Sequence, residues 1–155
     1  MERKKVKVFL DSNVILSGLF SDKGAPRIIL DLLSLGLPLL SGVAGEFNIV
    51  EIERNLNKKM PEALPIYRQY LPLLHLEITP LPAPREIAEL KGLVGEKDLP
   101  VLASAIRAKA DLLVTGDRKD FAKVRRMRID PPRVVTPAEF LDLILPVILL
   151  ILEER

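Results

Sequence analysis

The stretch DLPVLASAIRAKADLLVTGD, Asp98 to Asp117, decides the fold. Its first half sets Leu99, Leu102, Ala103, Ile106 and Ala110 at the three-and-four spacing of one helix face, with Asp98 at the start. Its second half, from Asp111, is a short apolar run closing on a Gly-Asp turn, the pattern of a strand buried on both faces of a parallel sheet. A helix feeding directly into such a strand is the repeating unit of an α/β protein.

The same alternation extends outward. VKVFLD (Val6 to Asp11) reads as another buried strand, delivering Asp11 to its C-terminal end. After the loop SDKGAP, Arg27 to Leu35 carries Ile28, Ile29, Leu32 and Leu33 at helical spacing, and Gly36 ends the run. Leu37 to Leu40 predicts a second strand, and about Ala44 to Lys58 a helix bearing Glu46, Glu51 and Glu53. Pro61 opens a helix to about Leu71, LHLEIT gives a strand, and the proline-rich TPLPAPREI leads into a short helix at about Arg85 to Leu93. Finally, RVV is a strand, and Thr136 with Glu139 forms a capping box for a terminal helix at about 137–153.

These elements predict a single α/β domain over 1–155, a three-layer α/β/α sandwich around a parallel sheet of about five strands. No internal repeat or linker interrupts it. Right-handed crossovers put all the strand C-terminal ends on one rim, so Asp11 and Asp117 are expected together there.

Composition narrows the function classes. The 155 residues, 48% hydrophobic and 28% charged, suit one globular domain. There is no cysteine, which removes disulfides and thiolate chemistry and fits a reducing, cytoplasmic setting. The lone histidine, His75, cannot build a histidine zinc site, and its apolar surroundings predict a strand-edge or core position. At the N-terminus, Lys7 and Asp11 interrupt the apolar stretch too early for a signal peptide. FLDLILPVILLIL, Phe140 to Leu152, falls short of the ~20 residues of a membrane span and contains Asp142 and Pro146. It is read as a buried or subunit-covering helix, kinked or broken at Pro146, that serves a homodimer contact or a protein partner.

Asp11, a glutamate of the second helix, Asp98 and Asp117 form a set that would repel itself in one pocket unless a cation neutralised it. Without histidine or cysteine, the hard ions Mg²⁺ and Mn²⁺ are the matching choice. Carboxylate-bound metal of this kind activates water for attack on a phosphodiester. Singly, each acid has an ordinary explanation: Asp98 as an N-cap, Asp117 as a turn residue, Glu51 and Glu53 as solvated helix charges. Asp11 is the exception, because an acid ending a buried strand gains little structurally there.

FLDSNVILSGLF (Phe9 to Phe20), VEIERNL (Val50 to Leu56) and KDLPVLASAIRAKADLLVTGDRKDF (Lys97 to Phe121) resemble, in order and spacing, the PIN-domain nucleases, which include the toxins of toxin–antitoxin pairs. The resemblance implies a PIN-like, Rossmann-like topology and a Mg²⁺- or Mn²⁺-dependent ribonuclease, with an antitoxin as a possible partner. It makes Asp11, Asp98 and Asp117 metal ligands and catalytic acids, with Ser12 or Asn13 orienting Asp11. For the fourth acid it favours Glu51, with Glu53 and then Glu46 as alternatives. Thr115 and Asp120 become accessory positions, the first by hydrogen bonding and the second by outer contact with the metal.

On the substrate side, Arg118, Lys119, Lys123, Arg125, Arg126 and Arg128 follow Asp117 closely and suit a phosphate backbone, although a solvated loop would carry the same charges. The net charge of +2 gives no bulk attraction, and 5% aromatic content leaves few stacking platforms. A haloacid-dehalogenase-like phosphatase also places an aspartate after its first strand. It needs a second acid two residues on, where this chain has Asn13. A dinucleotide site lacks its Gly-x-Gly-x-x-Gly motif. A non-catalytic RNA-binding or scaffold domain of the same fold is the remaining alternative.

Overall fold

A computed structural model describes residues 5–127 and 132–154. The chain runs β1 (Val6–Leu10), α1 (Ser12–Phe20), α2 (Ala25–Ser34), β2 (Leu40–Gly45), α3 (Glu46–Lys59), α4 (Leu64–Tyr70), β3 (Glu77–Thr79), α5 (Pro84–Ala88), α6 (Leu99–Arg107), β4 (Leu112–Val114), α7 (Ala122–Met127), β5 (Arg133–Val135) and α8 (Pro137–Glu153). Short 3₁₀ turns at Pro61–Ala63, Leu71–Leu74 and Glu96–Asp98 join some of them.

All five strands are parallel, in the order β3-β2-β1-β4-β5. The period-2 alternation of each short strand sends neighbouring residues to opposite faces and so creates two cores. Val8, Leu10, Val114 and Val135 meet Val14, Ile29, Ile52 and Phe140 from α1, α2, α3 and α8 on one face. Phe9, Val43, Leu113 and Val134 meet Leu102, Phe121 and Val124, from α6 and the α7 segment, on the other. The expected three-layer sandwich with a parallel five-stranded sheet is therefore present.

Several details differ from the sequence reading. β2 is Leu40–Gly45 rather than Leu37 to Leu40. Its small residues, SGVAG, give no long apolar run, but they let neighbours approach: a Cβ on Gly42 would meet Leu76 Cδ2 at 2.7 Å and Leu33 Cδ2 at 3.0 Å. The α1 helix, absent from that reading, begins on a cap formed by Asp11 itself. His75 lies neither in a strand nor in the core. It is exposed, in the left-handed conformation at φ 55°, and ends the Leu71–Leu74 turn.

The box of Thr136 and Glu139 caps α8 as expected, with Glu139 N donating to Thr136 Oγ1 at 3.2 Å and Thr136 N to Glu139 Oε1 at 2.8 Å. Pro146 does not end that helix. Asp142, whose carbonyl loses its i+4 partner to the proline, is exposed, so water can satisfy it. No helix among the described residues is long and apolar enough to cross a membrane.

The strand order reverses at β1. Chain leaving β1 goes one way to β2, and the later crossover returns to β4 on its other side. In open α/β sheets the crevice at such a switch point, outside the strand C-termini, is where ligands bind. Asp11 and the Thr115-Gly116-Asp117 turn stand at that crevice.

Candidate functional site

Asp11 leaves β1 with its backbone N–H donating to Val114 O at 3.0 Å, which ties it to the end of β4. Its side chain is buried, 5% exposed, and ringed by donors. Ser12 N donates to Oδ1 at 2.7 Å and Thr115 Oγ1 to Oδ2 at 2.8 Å. Longer contacts come from Asn48 Nδ2 at 3.4 Å and Asn13 Nδ2 at 3.5 Å. Burial still raises the Asp11 pKa. The Thr115 and Ser12 hydrogen bonds oppose this, while the charges of Glu51 and Asp117 add to it.

Thr115 and Asn13 hold the β4 turn in register with this carboxyl. Thr115 Oγ1 accepts from Asp117 N at 3.1 Å, and Asn13 Oδ1 accepts from Gly116 N at 3.0 Å. Asp117 Oδ1 accepts in turn from Asp120 N at 3.0 Å, folding the chain back toward the sheet rim.

Asp98 comes from the other direction, at the end of the Glu96–Asp98 turn that opens α6. It occupies the N-cap position yet makes no capping hydrogen bond with its side chain, so the ordinary explanation for an acid there does not hold. The side chain turns toward Asp117 and Asp120 instead. One carboxylate oxygen from each of Asp98, Asp117 and Asp120 can be chosen so that all lie within 4.8 Å of one another. Asp98 Oδ2 is buried with no hydrogen-bond partner.

The electrostatics reflect this crowding. The Asp98 pKa is pushed up to about 7, first by burial, then by hydrogen bonding with Asp120 and by the charges of Asp11 and Asp117. Asp120 is held below its ordinary value by the same Asp98 hydrogen bond and by those from Asp117 and Lys97. The Lys97 ammonium lies 3.3 Å from Asp120 Oδ2 and 3.8 Å from Asp117 Oδ2. Its pKa is raised, mainly by hydrogen bonding to Asp120.

The donor set fits a hard divalent cation. It offers clustered carboxylate oxygens with no nitrogen or sulfur, and one buried oxygen that nothing else satisfies. The trio differs in one member from the Asp11, Asp98 and Asp117 expected from the sequence. Asp120, expected as an outer position, lies inside it, and Asp11 stands alongside, linked through Thr115 and close enough for its charge to act on Asp98.

The three candidate glutamates separate clearly. Glu53 is engaged by Arg68, at 2.8 and 3.0 Å, and Glu46 accepts from Leu81 N at 3.3 Å. Glu51 is the one whose charge acts on Asp11. Of the basic residues, Arg125 is bonded to Glu139 at 2.8 Å and Lys123 to Gly92 O at 3.2 Å, while Arg118, Lys119 and Arg126 are exposed. Arg128 lies outside the described residues.

Asn48 escaped the sequence reading. Fully buried on the first turn of α3, it donates to Ser12 Oγ at 2.8 Å and to Asp11 Oδ1, and accepts from Gly45 N at 3.3 Å. Gly45 is required beside it, since a Cβ there would meet Asn48 Oδ1 at 2.9 Å and Ser104 Oγ at 3.2 Å. The sequence signals Asn48 only as an asparagine set between the apolar Phe47 and Ile49, in a helix marked otherwise by its acids.

The parallel α/β sheet gathers acids from the ends of β1 and β4 and the start of α6 at its switch point, where α/β sheets bind ligands. The chain belongs to the PIN domain family, whose model matches residues 7–119. Three solved structures share its fold. VapBC2 from Rickettsia felis, bound to a DNA fragment from the VapBC2 promoter, superposes with a TM-score of 0.59 at 20% identity, covering 84% of this chain and 97% of that one. A toxin-antitoxin complex from Klebsiella pneumoniae gives 0.58 at 22% identity, with 84% and 97% covered. VapBC-1 from nontypeable Haemophilus influenzae gives 0.58 at 18% identity, with 86% and 99% covered. No curated protein matches the chain significantly.

Proposed function

We propose that this PIN domain is a divalent-ion-dependent ribonuclease and the toxin component of a toxin–antitoxin pair. The observation that carries the chemistry is the carboxylate trio within 4.8 Å, together with the buried, partnerless Asp98 Oδ2. Asp98, Asp117 and Asp120 would hold Mg²⁺ or Mn²⁺, with Asp11 as the adjoining acid and Glu51 supplying further negative charge. When bound, the ion lowers the pKa of a water and offsets charge on the phosphoryl oxygens. The chain's own residues fix the geometry. Thr115, Ser12 and Asn48 orient the Asp11 carboxyl, Asn13 clamps the Gly116 turn, and Asp117 positions Asp120. Exposed Arg118, Lys119 and Arg126 would meet RNA phosphates.

The toxin role and the antitoxin partner are supported by the fold likeness to structures titled as VapBC or toxin-antitoxin complexes. The exposed apolar residues of α8, among them Leu143, Leu149, Leu150 and Leu152, suit an antitoxin or a second copy of the chain. A cytoplasmic setting follows from this role.

The test is cleavage of RNA by purified protein in Mg²⁺ or Mn²⁺. Activity that EDTA removes, and that Asp11→Asn lowers at least ~100-fold with the fold intact, is expected. A folded protein that binds RNA but cuts none in either ion contradicts the reading and favours a non-catalytic domain.

A further inference from the structure

Beside the acid cluster lies a second feature that metal binding does not use. A cavity of about 440 Å³ opens between α1, the start of α2, the β4 turn and the start of α8, lined by Asn13, Val14, Ser17, Pro26, Gly116 and Pro137 with Asp117 as its remaining wall. Asp117 also belongs to the carboxylate trio, so cavity and cluster meet at one side chain. From these placements we infer that the cavity receives one unpaired nucleoside of the RNA next to the scissile phosphate, with Ser17 as a residue that sets which nucleoside is accepted. This rests on the ribonuclease reading.

Size, chemistry and position agree. The volume falls at the small end of ligand-binding clefts and admits one base with its sugar. Val14, Pro26 and Pro137 give apolar walls for a base face, while the Ser17 hydroxyl can address its edge; Asn13 Oδ1 and Gly116 N are engaged with each other at 3.0 Å. Among the described residues no aromatic lines the cavity, so recognition comes from shape and edge contacts rather than stacking. A base inside a duplex has its edge paired and both faces covered and cannot enter, so the nucleoside the cavity takes is an unpaired one. A phosphodiester held at the trio leaves its attached nucleoside at the Asp117 wall.

Ser17 is exposed on α1 and makes no part of the acid network, so replacing it perturbs the cavity alone. The experiment compares wild type with Ser17→Phe, which puts a ring into the cavity, and Ser17→Ala, which removes the hydroxyl. Binding of a fluorescent single-stranded oligoribonucleotide is measured in Ca²⁺, and product ends are sequenced after cleavage in Mn²⁺. Ser17→Phe should weaken binding at least ~10-fold while keeping the wild-type thermal shift with Mn²⁺, and Ser17→Ala should change the nucleotide found beside the cut. Equal binding by wild type and Ser17→Phe overturns the inference whatever the cleavage result. A binding loss in Ser17→Phe with no cleavage by any form would instead refute the nuclease reading and leave the nucleoside site standing.

Discussion

Replacing Asp98 by asparagine should remove a pH dependence of stability that the metal-free protein carries. Asp98 has an ordinary value of 3.8 and is pushed up to about 7 in the folded chain, first by burial and then by hydrogen bonding with Asp120. A carboxyl whose folded pKa is raised stabilises the fold fully below its unfolded value, and that stabilisation is lost as pH climbs through the folded one. At about 1.4 kcal/mol per pH unit the gap caps the effect at about 4 kcal/mol. Water at the rim screens part of it, so about 2 kcal/mol is the working figure. Asp120, held low by the same bond, contributes a change of opposite sign only at more acid pH.

Thermal melts in EDTA at pH 5 and pH 8.5 read this directly. Between these two conditions only the span from pH 5 up to the folded value of about 7 is lost, about two-thirds of the gap, so about 1.3 kcal/mol and a Tm lower by roughly 3–5 °C are expected at the higher pH for a chain of this size. Asp98→Asn should reduce that difference, leaving the part that the raised Asp11 carboxyl contributes with the same sign. Adding Mn²⁺ at 100 times its Kd should restore about 2.7 kcal/mol to wild type at pH 8.5 and little to the variant. A wild-type profile as flat as that of the variant would refute the crowding argument, as would an equal Mn²⁺ shift in both proteins.

Three further outcomes are expected. Asn48→Ala removes the hydrogen bonds to Ser12, Asp11 and Gly45 from a buried position, and should cost about 2–3 kcal/mol in urea unfolding while reducing RNA cleavage through a misoriented Asp11. Lys97→Met takes away the ammonium that neutralises Asp117 and Asp120, so Mn²⁺ affinity measured by calorimetry should rise; because Lys97 is largely exposed, the gain is about two- to threefold. Replacing Arg118 and Lys119 together by alanine should flatten the plot of log affinity for single-stranded RNA against log salt by about 1.4, with an unchanged slope arguing that neither residue meets a phosphate.

The main architecture was legible because period-2 and period-3.6 patterns are local. Val6 to Asp11, the α6 face and the DLLVTGD turn each announce themselves, and together they dictate that Asp11 and Asp117 share a rim. β2 was misplaced because its strand is made from small residues chosen for close approach rather than hydrophobicity, a property that exists only once Leu33 and Leu76 are packed against Gly42. His75 misled for a related reason: its neighbours are apolar, but a left-handed backbone turns it out to water.

Within the site, residue type and motif order pointed to Asp11, Asp98, Asp117 and Asp120. Which three acids lie closest together depends on the Asp117 turn drawing Asp120 back, a tertiary event. The choice among Glu46, Glu51 and Glu53 likewise turned on partners far away in sequence, Leu81 and Arg68. Asn48 could not be singled out, since its role exists only through Asp11 and Ser12, 37 and 36 residues earlier.

A crystal structure of the protein soaked in Mn²⁺, with anomalous density recorded, bears most directly on the proposed chemistry. A peak bonded to carboxylate oxygens of Asp98 and Asp117, at about 2.0–2.3 Å, with Asp11 or Asp120 completing the protein ligands, is the expected result. Saturating Mn²⁺ that leaves this rim without a peak, with Lys97 still bridging Asp117 and Asp120, would contradict it.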